Sequence, residues 1–275
     1  MADNRSRIIA IRTEAGLNDA ETLARMFEDG QISDDGTVSG RLRAILEATE
    51  NMIIPALQTG MEFSDVGFRG DQTIGGSGFR DPWPTSRNQV GHFLTAVGLG
   101  FDSSSVTRRV LTRSIRDWLG ADDSMSDEEA AMRLIIGHEL AADPGFGLGL
   151  IIGGLVGGVL GGMTAGAIGT IAGGAAGAAV EVLNGFRDQF QQTTDQHVTA
   201  FGQALTALGP GPVIDMSAAE PLLQPIISTM NLTLVGNSVQ DLRLSLAGWK
   251  LGQDILGGSF STATDVASWV RSNLM

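Results

Sequence analysis

The chain has 275 residues, with 38 Gly, 43% hydrophobic and 5% aromatic residues, no Cys and a single lysine, Lys250. That length is room for one large domain or two modest ones, and zero cysteines exclude both a disulfide-stapled scaffold and a thiolate metal site. A net charge of −13 argues against a nucleic-acid partner, since phosphate binding needs clustered positive charge, while a mean hydropathy of +0.11 can support a core.

The charge is unevenly placed. Residues 1–143 carry 14 Arg against 23 Asp or Glu, and residues 181–275 carry 4 basic against 8 acidic side chains. Between Asp143 and Glu181 lie 37 residues with no charge at all. The first apolar run, Ile8-Ile9-Ala10-Ile11, is far shorter than the ~7–15 residues of a secretory signal. The expected localisation is therefore synthesis in the cytoplasm, followed by membrane association or delivery by a dedicated secretion machine.

Apolar residues at three- and four-residue spacing predict helices over ~18–29 (Leu23, Met26, Phe27) and ~38–59 (Leu42, Ile45, Leu46, Ile53), with a turn at Asp29–Gly36. Residues 64–85 read as loop. Their glycine-rich part lacks the Gly-Lys-Ser/Thr ending of a phosphate-binding loop, and no serine occupies a Gly-x-Ser-x-Gly turn. Ser86-x-x-Gln89 is a capping box opening a helix to about Leu99, and Ser126-x-x-Glu129 opens another that ends near Asp143. Between them, ~104–119 predicts a helix carrying Arg108, Arg109, Arg113 and Arg116, the one basic patch and a candidate for anionic lipid headgroups.

Two of the three histidines share a context, Gly91-His92-Phe93-Leu94 and Gly137-His138-Glu139-Leu140. Facing helices could bring His92, His138 and Glu139 together as acid–base groups, or as two His and a carboxylate around a metal. The second element begins like the zinc-peptidase motif His-Glu-x-x-His, but Ala142 stands where the second ligand belongs. The bland alternative is that Gly permits close helix crossing and each His satisfies a core hydrogen bond. No catalytic residue, metal or cofactor is therefore assigned, and the chain is expected to be non-enzymatic.

Beyond the uncharged stretch, 181–208 predicts a long amphipathic helix with Val182, Phe186, Phe190, His197 or Val198, Phe201 and Leu205 on its stripe. Four prolines (Pro210, Pro212, Pro221, Pro225) make 209–225 a linker or folded-over connection. Residues 231–247 fit two patterns: a short β-hairpin through Leu232-Thr233-Leu234 and Leu242-Arg243-Leu244, or a helix through Val239, Leu242, Leu246 and Trp249. A final helix is expected from Ser261 to Asn273, with Val266, Trp269 and Val270 on one side.

The uncharged stretch itself carries 14 Gly in residues 145–180. Small residues recur every fourth position as Gly149, Gly153, Gly157, Gly161, Ala165, Gly169, Gly173 and Gly177. A second row runs beside it through Gly154, Gly158, Gly162, Gly166, Thr170, Gly174 and Ala178, so one helix face is a smooth groove. In water these glycines oppose an isolated helix by roughly 10 kcal/mol or more. A bilayer, or a closely packed helix pair, reverses that balance. One helix of this length would be ~54 Å long against a ~30 Å hydrocarbon core, so a hairpin turning near Gly161–Thr164 fits better.

Residues 147–180 resemble the glycine-zipper two-transmembrane segments of bacterial envelope proteins and some membrane-inserting effectors. The resemblance implies close-packed membrane helices, without implying a named function. The fold expected is mostly α, a helical bundle with a central Gly/Ala-rich hairpin. Its parts are an acidic helical domain (1–143), the zipper hairpin plus long helix (144–208), and a linker with a C-terminal helical or mixed region (209–275).

The leading functional expectation is a non-enzymatic membrane-interacting protein, such as a pore-forming or translocated bacterial effector or toxin, with membrane lipid as partner and self-association through the ladder. The alternatives are a soluble enzyme or toxin using His92, His138 and Glu139, and a structural or cargo component of a larger assembly with the ladder buried.

Overall fold

The computed structural model describes residues 3–14, 17–32, 34–49, 89–103, 124–140, 194–209, 211, 213–233 and 239–275. Among them 78% are helical, in nine helices with no strand. These are α1 (Asn4–Arg12), α2 (Asp19–Glu28), α3 (Val38–Ala48), α4 (Gln89–Phe101), α5 (Asp127–Leu140), α6 (194–207), α7 (Met216–Thr233), α8 (Val239–Leu256) and α9 (Ala263–Leu274). The protein is a mostly α helical bundle.

Local chemistry sets the helix starts. Side chains of Asp3, Asn18 and Thr37 accept from the backbone N–H groups of Ser6, Glu21 and Gly40, satisfying donors that the first turn leaves orphaned. Thr262 and Asp265 form a complete capping box at α9. At α5 only half the predicted box forms: Ser126 Oγ accepts from Glu129 N at 3.1 Å, while the Glu129 carboxylate turns to Arg133. Just past the end of α8 at Leu256, Gly258 turns the chain with a φ of 72°, the left-handed region that glycine enters without steric cost.

Helices α4 and α8 are the spine. Phe93, Leu94 and Val97 of α4, with Leu244, Ala247 and Leu251 of α8, face a core completed by α1, α2, α3 and α9. Ala96 and Leu99, with Leu242, Leu246 and Trp249, face a second core completed by α5, α6 and α7. Because α8 touches protein on both sides, even its polar residues Asp241, Ser245 and Lys250 are buried. Such all-round burial is what distinguishes a central helix from an amphipathic surface one. Residues from the 1–143 and 209–275 regions therefore share one apolar interior.

The fold corrects one expectation and decides between two alternatives at another segment. The proline-marked linker at 209–225 is helical from Met216 onward, with Pro221 and Pro225 inside α7. Burial of Ala219, Leu223, Ile226 and Ile227 against the second core outweighs the two missing backbone donors. Of the two patterns at 231–247, the helical one is adopted across Val239–Leu256, and the described residues there contain no β-hairpin. Leu242, Leu246 and Trp249 serve one core and Leu244, Ala247 and Leu251 the other, so the apparent alternation is two helix faces.

Candidate functional site

Helices α4 and α8 come to backbone contact where they cross. A Cβ added at Gly248 would stand 2.6 Å from the Phe93 carbonyl oxygen and 2.9 Å from Ala96 Cβ. At Gly252 it would strike the Val97 carbonyl oxygen, and at Gly100 the Trp249 carbonyl oxygen. From Gly248 to Gly252 the contacted residues advance from Phe93 to Val97, so the two helices run in the same direction. Each contributes a small-x-x-x-small pair, Ala96/Gly100 on one and Gly248/Gly252 on the other. Positions four apart share a face, so both helices present backbone to backbone at this crossing.

The flanks of the crossing are filled by large rings. Trp249 and Phe201 meet edge to face with centroids 6.0 Å apart, and Phe93 stacks on Trp269 at 6.4 Å. The indole N–H groups of Trp249 and Trp269 are buried and have no hydrogen-bond partner among the described residues.

Beside the crossing, α5, α6 and α8 border an open cleft of about 470 Å³ lined by Glu128, Met132, Leu205, Thr206, Lys250 and Asp254, among others. Its polar groups are spent largely on one another. Lys250 Nζ donates to Asp254 Oδ1 at 2.6 Å and Oδ2 at 2.5 Å, and Gln253 Nε2 donates to Glu128 Oε1 at 2.8 Å. The buried Arg133 on α5 pairs with Asp195 of α6 and with Glu129 one turn back. Neither Lys250 nor Arg133 was legible as a site residue, although the i,i+4 spacing of Lys250 and Asp254 is a visible pairing signal.

The sequence-derived site residues fare differently. His92 lies on α4 and His138 and Glu139 on α5, and these two helices pack against each other. The side chains of all three fall outside the described residues. So do Arg108, Arg109, Arg113 and Arg116, and the whole ladder including Gly149, Gly153, Gly157, Gly161, Gly169, Gly173 and Gly177. Among the described residues no group of three or more His, Asp or Glu side chains could hold a metal ion.

His197 is described, and it is a core histidine. It is 2% exposed, and its Nε2 lies 3.1 Å from Thr229 Oγ1 across the α6–α7 interface. Burial pushes it below the ordinary imidazole value, while the nearby Pro225 carbonyl acts in the opposite sense.

The transmembrane-helix and pore-forming expectations are corrected. Among the described residues no helix is long and apolar enough to cross a membrane. The longest, α7 and α8, each have 18 residues, but α7 is interrupted by two prolines and α8 carries Asp241, Arg243, Lys250 and Asp254. Their apolar faces are occupied by protein.

Compared with known protein families, curated proteins and solved structures, the chain matches none of them.

Proposed function

We propose that this protein is a non-enzymatic, α-helical assembly component whose glycine ladder packs against the ladder of a second copy. The supporting observation is the α4–α8 crossing, where this chain uses small residues four apart to bring two protein helices to backbone contact. The ladder repeats that spacing over a far longer stretch, with Leu148, Ile152, Leu155, Val156 and Val159 on the opposite face. Its glycines disfavour a solitary helix by roughly 10 kcal/mol, so a closely apposed partner is what makes a helix there stable. The acidic flanks Asp143 and Glu181 favour a protein partner over an anionic membrane surface.

Light scattering coupled to size exclusion, on the full chain in detergent-free buffer, tests the reading. The expected result is a discrete oligomer that dissociates when Gly157 and Gly161 are both replaced by Val. A monomer at every concentration, or an oligomer unchanged by the double substitution, overturns it. Flotation of the wild-type chain with liposomes would instead support lipid as the ladder's partner.

A further inference from the structure

His197 sits in a hydrogen-bond relay that engages one ring nitrogen, Nε2. Thr229 Oγ1 donates to the Pro225 carbonyl at 3.1 Å, so its lone pair accepts from His197 Nε2–H at 3.1 Å. That assigns the neutral tautomer from the network. The other ring nitrogen, Nδ1, is buried and has no hydrogen-bond partner among the described residues. Protonation would therefore put a charged N–H at Nδ1 with no acceptor among the described residues, a burial cost that the Pro225 carbonyl beside the ring offsets only in part.

The element above the ring is poorly fixed by its own backbone. Pro225 cannot donate to the Pro221 carbonyl, nor Pro221 to the Ser217 carbonyl, so α7 lacks two helical hydrogen bonds in its interior. It is held instead by its apolar face, including Leu223 and Ile226, by the Glu220–Arg243 pair to α8 and, on the α6 side, by the His197–Thr229 bond. The charged groups on the surrounding elements are engaged elsewhere. Asp195 of α6 pairs with Arg133 of α5, which also holds Glu129. Glu220 of α7 pairs with Arg243 of α8, and Lys250 of α8 with Asp254. Asp241 of α8 is buried, and among the described residues none of these charges acts on the ring.

We propose that His197 is an acid-sensitive latch: the neutral ring seats α7 on α6, and protonation releases α7 and uncovers the apolar face beneath it. The sign follows from the depressed affinity of the buried ring for protons. Stability from the neutral ring is complete above the ordinary value of 6.5 and is lost as pH falls below it.

The test compares the full-length wild type with His197→Gln, whose amide can still donate to Thr229 but does not titrate. Between about pH 7.5 and about pH 5, the wild-type urea midpoint should fall further than that of the variant. Over the same interval, amide exchange in α7, corrected for its intrinsic pH dependence, should accelerate about tenfold relative to α9 in the wild type only. Equal pH dependence in the two proteins overturns the latch. If His197→Gln does not fold, the wild-type imidazole signals decide. A His197 ring titrating at or above the ordinary value overturns the proposal, and one titrating below it, together with α7 release, supports it.

Discussion

Arg271 grips Glu21 and Glu28 at once, joining α9 to α2 across 250 and 243 positions of sequence. Its Nε and Nη2 donate to the two oxygens of Glu21 at 2.8 and 2.7 Å, and Nη1 and Nη2 donate to those of Glu28 at 2.6 and 2.8 Å. Only a planar guanidinium can serve two carboxylates in this forked manner. Beneath the pairs, Val266, Ala267 and Val270 pack into the same core as Leu23, Ala24 and Phe27.

Replacing Arg271 with Met should cost about 1–2 kcal/mol, because the pairs are partly exposed and screened by solvent. Its hydrogen bonds hold Glu28 below the ordinary value of 4.5, with burial opposing. A depressed carboxylate contributes stability above its ordinary value and loses it as pH falls through the folded value. Urea midpoints measured from about pH 7 to about pH 3 should therefore drop less steeply for Arg271→Met than for the wild type.

The α4–α8 crossing makes opposite predictions for two glycines on neighbouring helical surfaces. Gly252→Ala drives a methyl into the Val97 carbonyl and should destabilise by about 1–3 kcal/mol despite the better helix propensity of Ala. Gly98→Ala meets only the Leu46 methyl groups at 3.6 Å, an ordinary contact, and should be neutral or stabilising by up to about 1 kcal/mol. Thermal or urea unfolding of the two variants checks the contrast, and equal losses would contradict the crossing geometry.

Arg41 ties α3 to the end of α2. Its Nη1 donates to the carbonyls of Phe27 at 3.1 Å and Asp29 at 2.5 Å, while Nε pairs with Asp34. These carbonyls are among those a helix terminus leaves without intrahelical donors. Arg41→Lys keeps the charge but cannot reach both carbonyls and the carboxylate, so a loss of about 1–3 kcal/mol is expected in chemical denaturation.

Thr262 caps α9 by accepting from Asp265 N at 3.2 Å, while the Asp265 carboxylate accepts from Thr262 N at 2.8 Å. Thr262→Ala should cost about 1 kcal/mol, and Thr262→Ser should restore most of it. Since α9 carries Arg271, exchange in α2 should rise together with exchange in α9. Exchange confined to α9 would argue that the two helices open independently.

Helical content was legible wherever apolar residues recur at three and four positions, as with Leu23, Met26 and Phe27 on α2 or Val266, Trp269 and Val270 on α9. Those signals are local, and burial in the fold agrees with them. Helix α7 was hidden because its prolines are strong local breakers, while the burial that overrides them comes from distant residues. Histidine 197 stood on the predicted stripe of its helix, but its partner Thr229 is 32 positions away and nothing in the spacing names it.

What the sequence by itself determined is the zoning: an uncharged glycine ladder between two acidic regions, a predominantly helical chain, and the exclusion of cysteine chemistry. Periodicity and composition are properties of neighbouring residues, so they survive without a fold. Only the tertiary structure decided that α4 and α8 form the shared spine, that Gly248 and Gly252 face the backbone of Phe93 and Val97, and that Arg271 holds α2. Those pairings depend on which surfaces meet after the chain has folded back, and four-residue spacing alone specifies a close neighbour without saying which helix supplies it.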